Sequence, residues 1–161
     1  MISIIIGSIS DFDIIKKAID LLEDFNVEYD VQILSAHRTP DETAKYVKEA
    51  TEKGTKVFIA AAGLSAHLPG VVAANTIVPV IGIPINTSLQ GIDSLLSIVQ
   101  MPSGIAVATV GINAAQNAAL LAIEILAIND VKLKQKLIDY KNKMKEKIAK
   151  DQKELEKKLS K

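Results

Sequence analysis

The residues best suited to chemistry lie in Ser35-Ala36-His37-Arg38-Thr39-Pro40. The 161-residue chain uses lysine 18 times and arginine once, and the single arginine stands beside one of only two histidines. Histidine is the side chain whose ordinary pKa lies nearest neutrality, so His37 is the natural general acid and base. Arginine offers a planar, permanently charged fork that grips phosphate or carboxylate through two parallel hydrogen bonds. A proton shuttle next to an anion clamp points to an acid–base reaction on an anionic small molecule. Two further polar segments share this character. Gly7-Ser8-Ile9-Ser10-Asp11 leads into a predicted helix start, where free N–H groups and two hydroxyls favour an anion and Asp11 can accept from sugar hydroxyls. It is neither a Walker loop nor a GxGxxG fingerprint. Gly63-Leu64-Ser65-Ala66-His67-Leu68-Pro69-Gly70 carries the second histidine, His67, which is placed either to line a site or to fix a turn.

The elements around these segments decide whether they can meet. Ser3–Gly7, Tyr29–Leu34, Val57–Ala62, Val78–Ile83 and Ala106–Val110 read as short apolar, β-branched strands. Between them, helical spacing appears at Asp11–Phe25, with Ser10 or Asp11 as N-cap, and from Pro40 to about Glu52. Thr39, Pro40 and Glu42 form the pattern of a capping box with proline at the first helical position. Further helices are predicted in the Ala66–Asn75 region, at Ile92–Val99 and at Asn113–Ala127. Strands that are apolar on both faces and alternate with helices specify a parallel sheet covered on both sides. The fold class is therefore α/β, a doubly wound three-layer αβα sandwich with five strands. In such sheets ligands bind beyond the carboxyl ends of the strands. The three polar segments follow strands one, two and three, so the topology aims them at one crevice.

Composition removes several other function classes. Hydrophobic residues make up 48% and charged residues 24%, which excludes disorder. There is no cysteine, hence no disulfide, thiolate zinc site or cysteine nucleophile. Nineteen basic and nineteen acidic side chains cancel, and aromatics are 4%, so nucleic acid and membrane surfaces are not expected partners. No apolar run approaches the roughly 18 residues of a membrane span. The first residues lack a basic n-region and run into a strand, so no signal peptide is expected and the cytoplasm is the expected compartment. The charge is unevenly placed, however. Residues 129–161 hold 12 lysines and 6 acids, while Asp93 is the only charged residue from Val57 to Ile123. A charge-free stretch of that length predicts burial between subunits. From Val131 onward, Leu133, Leu137, Tyr140, Met144, Ile148, Leu155 and Leu159 form one apolar stripe of a helix that packs on its own or a neighbouring subunit. The expected division is 1–128 for the catalytic domain and 129–161 for this helical extension.

GSISD, SAHRTP and AHLPG, followed by Pro79-Val80-Ile81-Gly82-Ile83-Pro84 and Asp93-Ser94-Leu95-Leu96-Ser97-Ile98-Val99-Gln100-Met101-Pro102, resemble the PurE family of purine biosynthesis over roughly residues 2 to 128. The resemblance implies a flavodoxin-like sheet, a homo-octamer and no metal or organic cofactor. It also implies the transfer of a carboxylate from the exocyclic nitrogen of a ribonucleotide to carbon 4 of its imidazole ring. On this basis His37 is the proton shuttle. Ser8, Ser10 and Arg38 hold the phosphate, and Asp11 holds the ribose hydroxyls. Ser35, Ala36, Gly63, Ser65, Ala66, His67 and Leu68 frame the base and the migrating carboxylate. The chain departs from the bacterial pattern in places: Gly63-Leu64-Ser65-Ala66-His67 stands for a Gly-Gly-Ala-Ala-His run, Ala61 replaces an earlier glycine, and Phe12 stands where tryptophan is common. Two other readings remain open. One is a carboxylase of the same fold using free carbon dioxide, which the Leu64 change keeps alive. The other is a non-catalytic nucleotide- or flavin-binding module, which would not need His37.

Overall fold

The computed structural model describes residues 1–65 and 67–160. Five parallel strands, β1 (Ile2–Ile6), β2 (Tyr29–Ile33), β3 (Val57–Gly63), β4 (Val80–Ile85) and β5 (Ala108–Thr109), form one sheet in the order β2-β1-β3-β4-β5. Every residue of β1 is buried, as is β3 up to Ala62 and all of β4. That double-sided burial explains why these strands read as continuous apolar runs rather than alternating ones.

The helices are α1 (Phe12–Asp24), α2 (Pro40–Glu52), α3 (Leu68–Ala74), α4 (Ile92–Val99), α5 (Ala115–Ala127) and α6 (Val131–Leu159). Right-handed crossovers put α1 on one face of the sheet, because β1 to β2 runs opposite to the later steps, and α2, α3 and α4 on the other. The second face has a continuous core in which Val47 and Ala50 of α2, Leu68 and Val72 of α3 and Ile98 of α4 meet Ile5, Phe58, Ala60, Ala62 and Val80. Residues 1–125 form one compact unit and 126–161 a second. In the second unit, Asp130 caps α6 by accepting from the Leu133 N–H at 3.0 Å. Leu133 and Leu137 of its apolar stripe are buried, whereas Met144, Ile148, Leu155 and Leu159 are exposed.

Two local expectations need correction. The strand predicted at 78–83 lies at 80–85, because pairing with β3 starts where the Phe58 N–H donates to the Pro79 carbonyl. The capping box at Thr39 does not form: Thr39 occupies the N-cap position with no side-chain cap bond. Its hydroxyl turns back instead, accepting from the Ser35 N–H at 2.9 Å and donating to the Ser35 carbonyl at 3.1 Å. At α1 Asp11 holds the expected N-cap position, without a side-chain cap bond; the capping hydroxyl lies one turn earlier, where Ser8 accepts from the Ser10 N–H at the head of a 3-10 turn over Ile9–Asp11.

Sheet and helix pack closely at Gly82 of β4. A Cβ there would lie 2.5 Å from Ile98 Cγ2 of α4 and 3.0 Å from Val107 Cγ1. Gly82→Ala is therefore expected to destabilise the fold by about 1–3 kcal/mol, through overpacking. Urea denaturation checks this as a lower midpoint with unchanged slope.

Candidate active site

β1 and β3 are neighbours whose chains leave in opposite directions, so the sheet's switch point lies at their carboxyl ends. A cavity of about 370 Å³ opens there, lined by Gly7, Ser8, Ser10, Asp11, Ser35, Ala36, His37, Arg38, Ala62, Gly63, Leu64, Leu68 and Thr87. Four strand exits contribute to it.

The β1 exit supplies hydroxyls and a carboxylate. Ser10 Oγ donates to Ser8 Oγ at 3.0 Å and lies 3.4 Å from Asp11 Oδ1. Partial burial raises the Asp11 pKa above the ordinary aspartate value, and the Ser10 hydrogen bond works against that rise. A raised acid pKa means that the ionised form is worse off in the fold than in the unfolded chain, so the penalty acts above the folded pKa and fades as pH falls through it. Asp11→Asn is expected to raise the melting temperature of the free protein at pH 7. The gain should vanish near pH 3, as paired thermal melts would show.

The β2 exit is a turn braced from inside. Besides the Thr39 bonds, the Arg38 N–H donates to Ser35 Oγ at 3.2 Å. The guanidinium reaches across to β1, with Nη2 donating to the Gly7 carbonyl at 2.9 Å and Nε lying 3.4 Å from Ser35 Oγ. His37 and Arg38 are both solvent-exposed, as groups that meet a diffusing ligand must be.

The β3 and β4 exits close the far side. Gly63 has no room for a side chain, since a Cβ would collide with the Thr87 hydroxyl. Leu64 follows with φ +58°, a left-handed conformation uncommon for a branched residue, and is half-exposed at the cavity wall. Of the sequence-predicted residues, Ser8, Ser10, Asp11, Ser35, Ala36, His37, Arg38, Gly63 and Leu68 meet here. Ser65 and His67 do not line the cavity. The Ser65 carbonyl accepts from Ser97 Oγ at 3.2 Å, and the His67 ring lies against Gly70 at the start of α3. Ala66 lies outside the described residues. Sequence reasoning missed Thr87, because ending β4 at Ile83 left the polar Asn86-Thr87-Ser88 unrecognised as a strand exit. Among the described residues no cluster of three or more His, Cys, Asp or Glu side chains could hold a metal, and no helix is long and apolar enough to cross a membrane.

A family model described as AIR carboxylase matches residues 1–147. The chain belongs to this family. The N5-carboxyaminoimidazole ribonucleotide mutase of Pyrococcus abyssi is 56% identical over 145 residues, covering 89% of this chain and 83% of that protein. The mutase of the same name from Methanocaldococcus jannaschii is 54% identical, covering 95% and 96%. The solved structure of Treponema denticola PurE superposes with a TM-score of 0.82 at 30% identity, covering 93% of this chain and 94% of that one. The flavodoxin-like α/β architecture is thus shared with that PurE structure, and the cavity at the switch point lies within the region matched by the family model.

Proposed function

We propose that the chain converts N5-carboxyaminoimidazole ribonucleotide into its 4-carboxy isomer in purine biosynthesis, acting in the cytoplasm without metal or organic cofactor. The observation that carries this reading is the convergence of His37 and Arg38 with the Ser8–Asp11 segment in one cavity at the switch point. The phosphate is held over β1 and β2 by Ser8, Ser10 and Arg38, and Asp11 accepts from the ribose hydroxyls. The imidazole then lies toward Gly63, Leu64 and Leu68. A direct shift of the carboxylate would pass through a strained four-membered ring, so the N–C bond breaks first. Protonated His37 gives its proton to the departing nitrogen, which keeps the bonding pair, and carbon dioxide is released within the cavity. Carbon 4 attacks that carbon dioxide, and neutral His37 removes the carbon 4 proton, which restores both the ring and the catalyst. Ser35 and Ala36 set the height of His37 above the ring, while Ser65 and His67 support the loop that frames the carboxylate. Incubation with the N5-carboxylated nucleotide should yield the 4-carboxy isomer with little incorporation of labelled bicarbonate. Efficient synthesis from aminoimidazole ribonucleotide and bicarbonate would instead favour the carboxylase reading, which the name of the matched family keeps in view.

The assembly proposed with this function is a homo-octamer. In the 57–123 stretch, Ile77 is fully exposed and Leu89 is 74% exposed. Ile92, Leu96 and Val99 make a half-exposed apolar row along α4. On a lone chain this surface would stay wet, whereas contact between subunits removes it from water. The exposed stripe of α6 gives the assembly a further apolar surface. Light scattering is expected to return about eight times the 17.3 kDa chain mass, and a stable monomer would overturn the octamer.

A further inference from the structure

Asp93 is the only charged residue between Val57 and Ile123, and it has no place in the chemistry described above. Its Oδ2 accepts from Ser88 Oγ at 2.7 Å, while its Oδ1 is buried with no hydrogen-bond partner among the described residues. A part-buried carboxylate with one buried oxygen left unpaired costs free energy, so its presence calls for a compensating role. The segment it holds supplies one. Thr87 precedes Ser88 and lines the cavity. Leu89, Gln90 and Gly91 follow with φ of +43°, +56° and +82°. Two consecutive non-glycine residues in left-handed backbone are unfavourable and persist only where the surroundings enforce them. The Ser88–Asp93 bond spans this turn, and on the other side of Thr87 the Asn86 N–H donates to Asn113 Oδ1 at 2.9 Å, so Thr87 is tethered at both neighbours. Between these tethers the Thr87 hydroxyl is pressed against Gly63, over the end of β3.

We propose that Asp93, acting through Ser88, is a positioning residue that holds the Thr87 hydroxyl where it donates a hydrogen bond to the carboxylate borne by the substrate and product. The inference rests on the nucleotide orientation given above. With the phosphate over β1 and β2, the ring and its carboxylate extend toward β3 and β4, where Thr87 stands. The charge on Asp93 strengthens the Ser88 bond beyond that of a neutral acceptor. That fits a tether which must hold a strained turn in register.

The test compares calorimetric binding of the 4-carboxylated nucleotide with that of aminoimidazole ribonucleotide, which lacks the carboxylate. Thr87→Val keeps the shape of the side chain and removes the donor. It is expected to weaken the carboxylated ligand about tenfold and to leave the other within about twofold. Asp93→Ala should show the same selectivity at about fivefold, and should add little further loss in the Thr87→Val background. Ser88→Ala removes the same link from the other side and serves if Asp93→Ala does not fold. Equal weakening of both ligands, or additive losses in the double variant, would overturn the proposal and leave Asp93 a purely structural residue. Failure of the wild-type protein to convert the N5-carboxylated nucleotide would instead overturn the functional reading itself.

Discussion

His37→Asn is expected to abolish nearly all turnover, by about 10²–10⁴-fold, while nucleotide affinity changes no more than a few-fold. Asparagine fills similar space and keeps a hydrogen-bonding amide, but it cannot carry a proton between the departing nitrogen and carbon 4. Both halves of the proposed reaction need that transfer, one as acid and the other as base. Loss of the shuttle therefore raises the barrier far more than it weakens the ground-state complex. The fold offers no competing explanation for lost activity. His37 is exposed on the turn between β2 and α2, and that turn is held by Ser35, Arg38 and Thr39 rather than by the imidazole. The melting transition should accordingly stay within about 0.5 kcal/mol of wild type. Steady-state conversion measured beside calorimetry checks both halves, and a folded variant that keeps a tenth of the activity would remove His37 from the chemistry.

What could be read from the chain before the fold was known follows a physical division. Strand and helix identities came from burial periodicity, which is a property of each segment: β1 and β3 are apolar because both their faces are covered, and α1 buries Ile15, Ala18, Ile19 and Leu22 at helical spacing. The position of His37, Arg38, Ser8 and Gly63 at strand exits was legible for the same reason, since parallel order alone places those exits on one edge. Hydroxyl partners were not legible, because a threonine can bond forward or backward. Thr39 fits a capping box by spacing, yet it bonds back to Ser35 and stiffens the loop that carries His37. Thr87 was hidden behind a two-residue shift in β4: apolar Val78 reads as the strand's start, whereas the strand runs from Val80 to Ile85. Ser88 and Asp93 are five residues apart, and no helical or strand period joins them; only the left-handed turn between them does.

Arg38→Lys preserves charge and is nonetheless expected to weaken binding of the phosphorylated ligand by about 1–3 kcal/mol. A guanidinium has five N–H donors in a fixed plane. Here Nη2 engages the Gly7 carbonyl and Nε approaches Ser35, which fixes the plane across the β1 and β2 exits and leaves the other N–H donors for an anion. An ammonium on a flexible stem can make either the Gly7 contact or the anion contact in that geometry, but it has no fork with which to make both. The loss should depend on the phosphate: the corresponding ribonucleoside, lacking it, should bind Arg38→Lys and wild type alike. Raising the salt concentration should weaken binding to both proteins alike and leave the difference, because screening acts on the shared charge and not on the fork. The alternative role for Arg38 is a strut that ties Gly7 to Ser35 with no part in binding. A strut would lower the melting temperature of Arg38→Ala and leave nucleotide affinity unchanged in every Arg38 variant that folds. Calorimetry with nucleotide and nucleoside, set beside thermal melts of both variants, therefore separates the two roles. The exposure of the guanidinium at the cavity mouth makes the anion clamp the expected result.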